Sequence, residues 1–118
     1  MKLYVAHNFA AREILRKTWV PQLEALGHVI QSCWITKLDH EFLGTQAEAQ
    51  TDLQDIDQCD GLVLGVDQYG STPGRGKYVE LGYALAKGLR VFLMGDAQDC
   101  VFYQIPGVKR IQHFKEIE

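Results

Sequence analysis

The sequence predicts an α/β domain, a three-layer sandwich with helices on both faces of a five-stranded, mainly parallel sheet in flavodoxin-like order. Short apolar runs at residues 3–6, 61–66 and 90–94 carry almost no polar residues, the pattern of strands buried on both faces. Segments of helical spacing separate them, and that alternation is the mark of βαβ units with right-handed crossovers. A chain of 118 residues holds one hydrophobic core and is too short for two, so residues 1–118 form a single domain.

Leu3-Tyr4-Val5-Ala6 opens the chain as a strand. Residues 9–26 follow as a helix, because Ile14, Leu15, Trp19, Leu23 and Leu26 recur every three or four positions. Pro21 predicts a kink or break there, and Gly27 a stop. Residues 28–35 are rich in β-branched and aromatic side chains and are expected to form a second strand. Residues 37–45 are expected as loop. Residues 46–59 are then helical, with Ala47, Ala49, Leu53 and Ile56 as the buried side. The third strand, 61–66, takes a central place. Gly70, Pro73, Gly74 and Gly76 punctuate a loop over 67–76. A helix over 77–87 stops at Gly88, a fourth strand runs over 90–94, and 108–113 supplies a fifth before a short terminal turn.

Composition narrows the function. The formal net charge is −3 with 12 Lys+Arg spread along the chain, so no basic face marks a polymeric nucleic acid as partner. No apolar run approaches the ~20 residues of a membrane span, and no signal peptide is expected at the N-terminus. Three cysteines, Cys33, Cys59 and Cys100, with no CxxC pair argue against a disulfide framework or zinc site and for a cytoplasmic setting. His7, His28, His40 and His113 are scattered without metal-ligand spacing.

In open parallel sheets, ligands bind beyond the carboxyl ends of the strands, which nominates the loops at 6–9, 37–45 and 67–76. The last leads into a helix carrying Glu80, expected in its first turn, where a carboxylate complements the helix dipole. Asp52 and Asp60 are eight residues apart, a spacing that allows both along one side of the preceding helix or its end. Residue type alone favours a turn role for Asp60 and a solvated side chain for Asp52. Residues 70–77 lack phosphate-loop spacing because Tyr78 follows the lysine, although a helix N-terminus with Arg75 and Lys77 can hold an anion.

Together these pieces resemble the nucleoside 2-deoxyribosyltransferase family and its relatives, the deoxynucleoside 5′-monophosphate N-glycosidases. Val79-Glu80-Leu81-Gly82-Tyr83-Ala84-Leu85-Ala86-Lys87-Gly88 is similar to the family's E-L-G-Y-A-x-x-x-G segment. The resemblance makes Glu80 the nucleophile, Asp52 a catalytic partner at the base or sugar, and Tyr4 the residue that orients Glu80. Asp52 followed by Asp60 ahead of the apolar strand matches the family's spacing, and Lys2-Leu3-Tyr4-Val5-Ala6 matches its opening strand. Asp39-His40-Glu41-Phe42-Leu43-Gly44 is similar to the loop that reaches the nucleobase, with Glu41 where a glutamine often stands. Substrate contacts are expected from His7, Glu41, Phe42, Ser71, Gly74, Gly76 and Gln104, and Trp34 or Phe42 could stack on the base. The match covers residues 2–108 and implies neither a metal nor a cofactor.

Two positions depart from the family pattern. Gly74 stands six residues before Glu80, where many transferases carry an acid and the nucleotide hydrolases a serine; Ser71 and Thr72 lie earlier. The stretch that completes a neighbouring subunit's 5′ pocket is here Phe102-Tyr103-Gln104-Ile105, with Phe102 near the family's polar position and Gln104 two residues on. A homodimer or larger homo-oligomer is expected from the family's shared sites. Trp19, Trp34, Phe102 and Tyr103 are also many large apolar groups for so small a domain.

Cleavage of an N-glycosidic bond develops oxocarbenium character at C1′, which a carboxylate stabilises or attacks, while a second acid protonates the departing base. The expected substrate is a small (deoxy)nucleoside or its monophosphate, and the residues leave transfer and hydrolysis equally open. Two other readings compete. Residues 73–80 are superficially similar to the P-G-G-x-G-T-x-x-E loop of cytokinin-type phosphoribohydrolases, without its second glycine and threonine. The other is a non-catalytic nucleotide-binding or sensing module of the same fold.

Overall fold

The computed structural model describes residues 1–38, 43–67 and 74–118. Glu41, Phe42, Ser71 and Thr72 lie outside the described residues. Five strands, β1 (Lys2–Ala6), β2 (Val29–Ile30), β3 (Gly61–Gly65), β4 (Arg90–Met94) and β5 (Val108–Ile111), form one sheet in the order β2-β1-β3-β4-β5. Every neighbouring pair is parallel, so the fold is the flavodoxin-like α/β sandwich that the alternation predicts. β3 lies at the centre and is buried along its whole length, between Leu3–Ala6 of β1 and Arg90–Met94 of β4.

The helices are α1 (Arg12–Lys17), α2 (Trp19–Ala25), α3 (Cys33–Thr36), α4 (Gln46–Asp57) and α5 (Gly76–Ala86). The helix expected over 9–26 is divided: a 3₁₀ turn at Phe9–Ala11 leads into α1, and the break falls at Thr18. Pro21 explains the place. Its ring excludes the carbonyl four residues earlier, at Lys17, so the chain leaves helical geometry at Thr18 and restarts with Pro21 in the first turn of α2.

The second strand is much shorter than the 28–35 expected from composition, because side chains take over its hydrogen bonds. Ser32 Oγ accepts from the Val5 amide at 2.7 Å, and Trp34 Nε1 donates to the Val5 carbonyl at 3.0 Å. With Val5 satisfied, the chain turns into α3, and Trp34 and Ile35 enter the core from a helix.

α4 begins with a capping box, Thr45 and Glu48 each bonding the other's backbone amide. Its expected apolar side is only partly realised. Ile56 is buried and Leu53 packs against the core, but Ala47 and Ala49 are exposed and the inward positions include Asp55. Asp55 holds α3 in place by accepting from the Cys33 amide at 2.9 Å. α5 buries Lys77, Leu81 and Ala84, one face at helical spacing.

The four large aromatics behind the oligomer expectation divide unequally. Trp34 and Tyr103 are buried, and Trp19 packs between His7 and Phe114 with centroid distances of 5.3 and 5.2 Å. Phe102 is exposed, together with Val101 and Ile105. Among the described residues, no helix is long and apolar enough to cross a membrane.

Candidate active site

A cavity of about 910 Å³ opens at the carboxyl edge of the sheet, where β1 and β3 diverge into connections on opposite faces. Its walls come from the loop after β1 (His7, Asn8, Phe9), the start of α4 (Thr45, Glu48, Asp52) and the start of α5 (Gly74–Lys77, Glu80), with Trp34 from α3.

Glu80 is the fifth residue of α5, one residue further in than expected from sequence and just past the first turn. The expectation that the helix dipole holds it ionised is corrected, because burial outweighs it. Burial pushes its carboxyl up to about 8, the Tyr4 hydrogen bond pulls against that, and the Asp52 charge adds to it. The Tyr4 hydroxyl donates to Glu80 Oε2. Tyr4 is fully buried in β1, and burial followed by the Glu80 charge raises its own pKa well above 10.0, so the phenol remains a donor.

Asp52 is partly buried, not solvated as residue type suggested, and its Oδ1 has no hydrogen-bond partner among the described residues. Burial, then the charges of Asp55 and Glu48, push its carboxyl up to about 6. Asp60 does not accompany it. That residue lies past the end of α4, exposed, and accepts from the Lys2 amide at 2.9 Å at the opposite edge of the sheet.

His7 lines the cavity as a neutral ring. Its Nδ1 accepts from the Asn8 amide at 2.7 Å, while burial and then the nearby Lys77 charge pull its pKa down to about 4. The ring lies over Gly65, where an added Cβ would come within 1.9 Å of it. Gly74 is equally constrained: its amide donates to Asn8 Oδ1 at 3.1 Å, and a Cβ there would lie 2.1 Å from that oxygen. Asn8 thus supplies a polar group in the space that a side chain at position 74 would take. Gly76 also lines the cavity. Gln104 is exposed on the 3₁₀ turn Val101–Gln104 and does not line the cavity of its own chain.

Sequence reasoning passed over Asn8 and gave Lys77 only a general anion-binding role, with solvent exposure as the commoner fate. Lys77 is 4% exposed, and its Nζ donates to the Gly65 carbonyl at 3.3 Å. The signal for it was available in the spacing, since Lys77, Leu81 and Ala84 share one face with Glu80 beside it. Among the described residues, no group of three or more His, Cys, Asp or Glu is arranged to hold a metal ion.

Two solved structures share this architecture. A 2-deoxyribosyltransferase from Bacillus psychrosaccharolyticus superposes with a TM-score of 0.71 at 22% identity, covering 100% of this chain and 90% of the other. The CMP N-glycosidase BcmB of Clostridium botulinum gives 0.65 at 18% identity, covering 98% and 93%. The chain has the 2-deoxyribosyltransferase fold. No protein-family model matches it, and no curated protein sequence does. Within the 2-deoxyribosyltransferase fold, this chain brings Tyr4, Asp52 and Glu80 together from the first strand, α4 and α5.

Proposed function

We propose that the chain cleaves or transfers at the N-glycosidic bond of a (deoxy)nucleoside or (deoxy)nucleoside monophosphate, with Glu80 as nucleophile. The observation that carries this reading is two part-buried carboxyls, one bonded to a buried phenol, on adjoining walls of a single cavity. Asp52, raised to about 6, suits a proton donor near neutral pH, and perturbed carboxyls in a cavity are the usual mark of a reactive site. The likeness of fold to a deoxyribosyltransferase and a CMP N-glycosidase supports it.

In this reading a Glu80 oxygen attacks C1′ as the C1′–N bond breaks and its electron pair leaves on the base. Asp52 gives the departing nitrogen its proton. Water or an incoming base then attacks C1′, releasing Glu80, and the new nucleophile's proton returns to Asp52. The first step needs Glu80 ionised and Asp52 protonated. That is one proton on the pair, the count expected between pH of about 6 and about 8, with the proton resting mainly on Glu80 and the productive arrangement the minor one. The Tyr4 hydroxyl favours the productive arrangement by stabilising charge on Glu80.

Incubation with 2′-deoxynucleosides and their 5′-monophosphates, with chromatography for free base, tests the proposal. Base release is expected, and Glu80→Ala should reduce it by roughly 10⁴-fold or more while circular dichroism stays native. No release from any of these substrates, or release by Glu80→Ala at the wild-type rate, would refute it.

A further inference from the structure

The cavity is electrically divided, and the reaction proposed above makes no use of its basic end. Glu48 and Asp52 stand four residues apart on α4, making one wall acidic. Arg75 and Lys77 flank the start of α5 on the other side, with Glu80 one turn beyond Lys77 on the same helix. The amino end of α5 adds its partial positive charge to that side.

Lys77 is the unusual member. An ammonium removed from water is costly unless it is paired and hydrogen-bonded. The Gly65 carbonyl is its one hydrogen-bond acceptor among the described residues, and the Tyr78 ring centroid lies 5.4 Å from Nζ. The charges of Asp99 and Asp67 favour its ammonium, but neither carboxylate bonds Nζ among the described residues. Asp67 accepts from the Asp96 and Ala97 amides at 3.1 and 3.2 Å, and Asp99 from the Tyr78 hydroxyl at 2.5 Å. Three N–H donors with one carbonyl leave capacity for an anion entering from the cavity. A nucleoside monophosphate fits that polarity along its length. In the orientation proposed here, C1′ lies at Glu80, the base faces the acidic α4 wall and the sugar's 5′ end faces the start of α5.

We propose that Lys77 is a specificity-determining residue that takes the 5′-phosphate of the substrate, so that the chain acts on nucleoside monophosphates in preference to free nucleosides. This rests on the glycosidic reading above. Arg75, exposed at the cavity mouth, adds a second, more solvated cation.

The test compares kcat/KM for base release from four 2′-deoxynucleosides and from their 5′-monophosphates. The monophosphate is expected to be preferred by at least tenfold. Lys77→Met, which keeps a buried unbranched stem, should shrink that preference by about 10- to 100-fold, the usual worth of a hydrogen bond to a charged group. Calorimetry on Glu80→Gln with dCMP and deoxycytidine reads the same preference without turnover and needs no change at Lys77. Equal kcat/KM for both substrate classes would overturn the proposal and leave the glycosidic reading standing. An unchanged preference in a natively folded Lys77→Met would also overturn it. Failure of base release from every substrate, with dCMP still bound at least tenfold tighter than deoxycytidine, would sink the glycosidic reading alone and support the phosphate site.

Discussion

The two edges of the sheet treat polar residues in opposite ways. At the amino edge, Asp60 is exposed and bonds the first amide of β1, and the N-terminal amine meets His28 Nδ1 at 3.0 Å. These groups meet neighbours in contact with water and cost little. At the carboxyl edge, Tyr4, Asn8 and Lys77 are buried and Asp52 and Glu80 partly so, with two raised carboxyls and one oxygen that has no hydrogen-bond partner among the described residues. One backbone supports both, so the difference does not come from the fold. It lies in which polar groups the sequence withholds from water, and groups so perturbed and open to a cavity cluster at functional sites.

The largest expected break of this contrast is Asp52→Asn. Under the glycosidic reading it removes the proton donor and should slow base release by roughly 10²–10⁴-fold. Its pH dependence sharpens the point. Wild-type kcat/KM should be bell-shaped, falling below pH of about 6 as the pair gains a second proton and above about 8 as it loses its only one. In Asp52→Asn only Glu80 remains, and it must be ionised. The alkaline limb should vanish, and the residual rate should rise with pH to a plateau whose midpoint lies below the wild-type upper limb, because the Asp52 charge no longer opposes ionisation. A bell that survives in this variant would show that another group donates the proton.

Glu80→Gln reads the cost of the carboxyl edge as stability. A carboxyl whose folded pKa is about 8 against an ordinary 4.5 carries no penalty below pH of about 4.5. Between those values the unfolded chain ionises freely and the folded one does not, so wild-type stability falls as pH rises through the interval. Glutamine cannot ionise and still accepts from Tyr4. The variant should therefore be the more stable protein at pH 8, by a few kcal/mol and roughly 10 °C in Tm, with the gap closing as pH falls to about 4.5. Thermal melts at pH 4.5 and 8 check both ends.

Tyr4→Phe should do less. It deletes the hydroxyl that stabilises charge on Glu80, so the productive ionisation becomes harder and base release should drop about tenfold at pH 7. The upper limb of the pH profile should move to higher pH, since the one interaction that lowers the Glu80 pKa is gone. A drop in rate with that limb unmoved would mean that Tyr4 only packs.

Much of this edge was legible in the sequence, and what was not has physical causes. Continuous apolar runs marked β1, β3 and β4 because strands buried on both faces carry no polar register. β2 was overestimated because Trp34 and Ile35 look alike to a strand and to a short buried helix. The deciding interactions, Ser32 and Trp34 on the Val5 backbone, join residues 27 and 29 positions apart. Glu80 was singled out by its local motif and misjudged in charge, because burial is set by the tertiary fold. Lys77 shows a related limit: its spacing from Leu81 and Ala84 puts it on the inward face, but only the tertiary fold puts a cavity there.

The smallest expected effect belongs to the other acid of the D-x7-D spacing. Asp60→Asn keeps an oxygen for the Lys2 amide and removes an exposed charge at the amino edge. Replacements at exposed, singly bonded sites usually change stability by less than about 0.5 kcal/mol. Base release should stay within about twofold of wild type, because Asp60 lines no part of the cavity. The comparison with Asp52→Asn is then internally matched: the same chemical change, eight residues apart, at opposite edges of one sheet. Equal losses in the two variants would mean that lowering the chain's negative charge, not the loss of a buried proton donor, slows the reaction. A loss confined to Asp52→Asn would place the chemistry at the carboxyl edge.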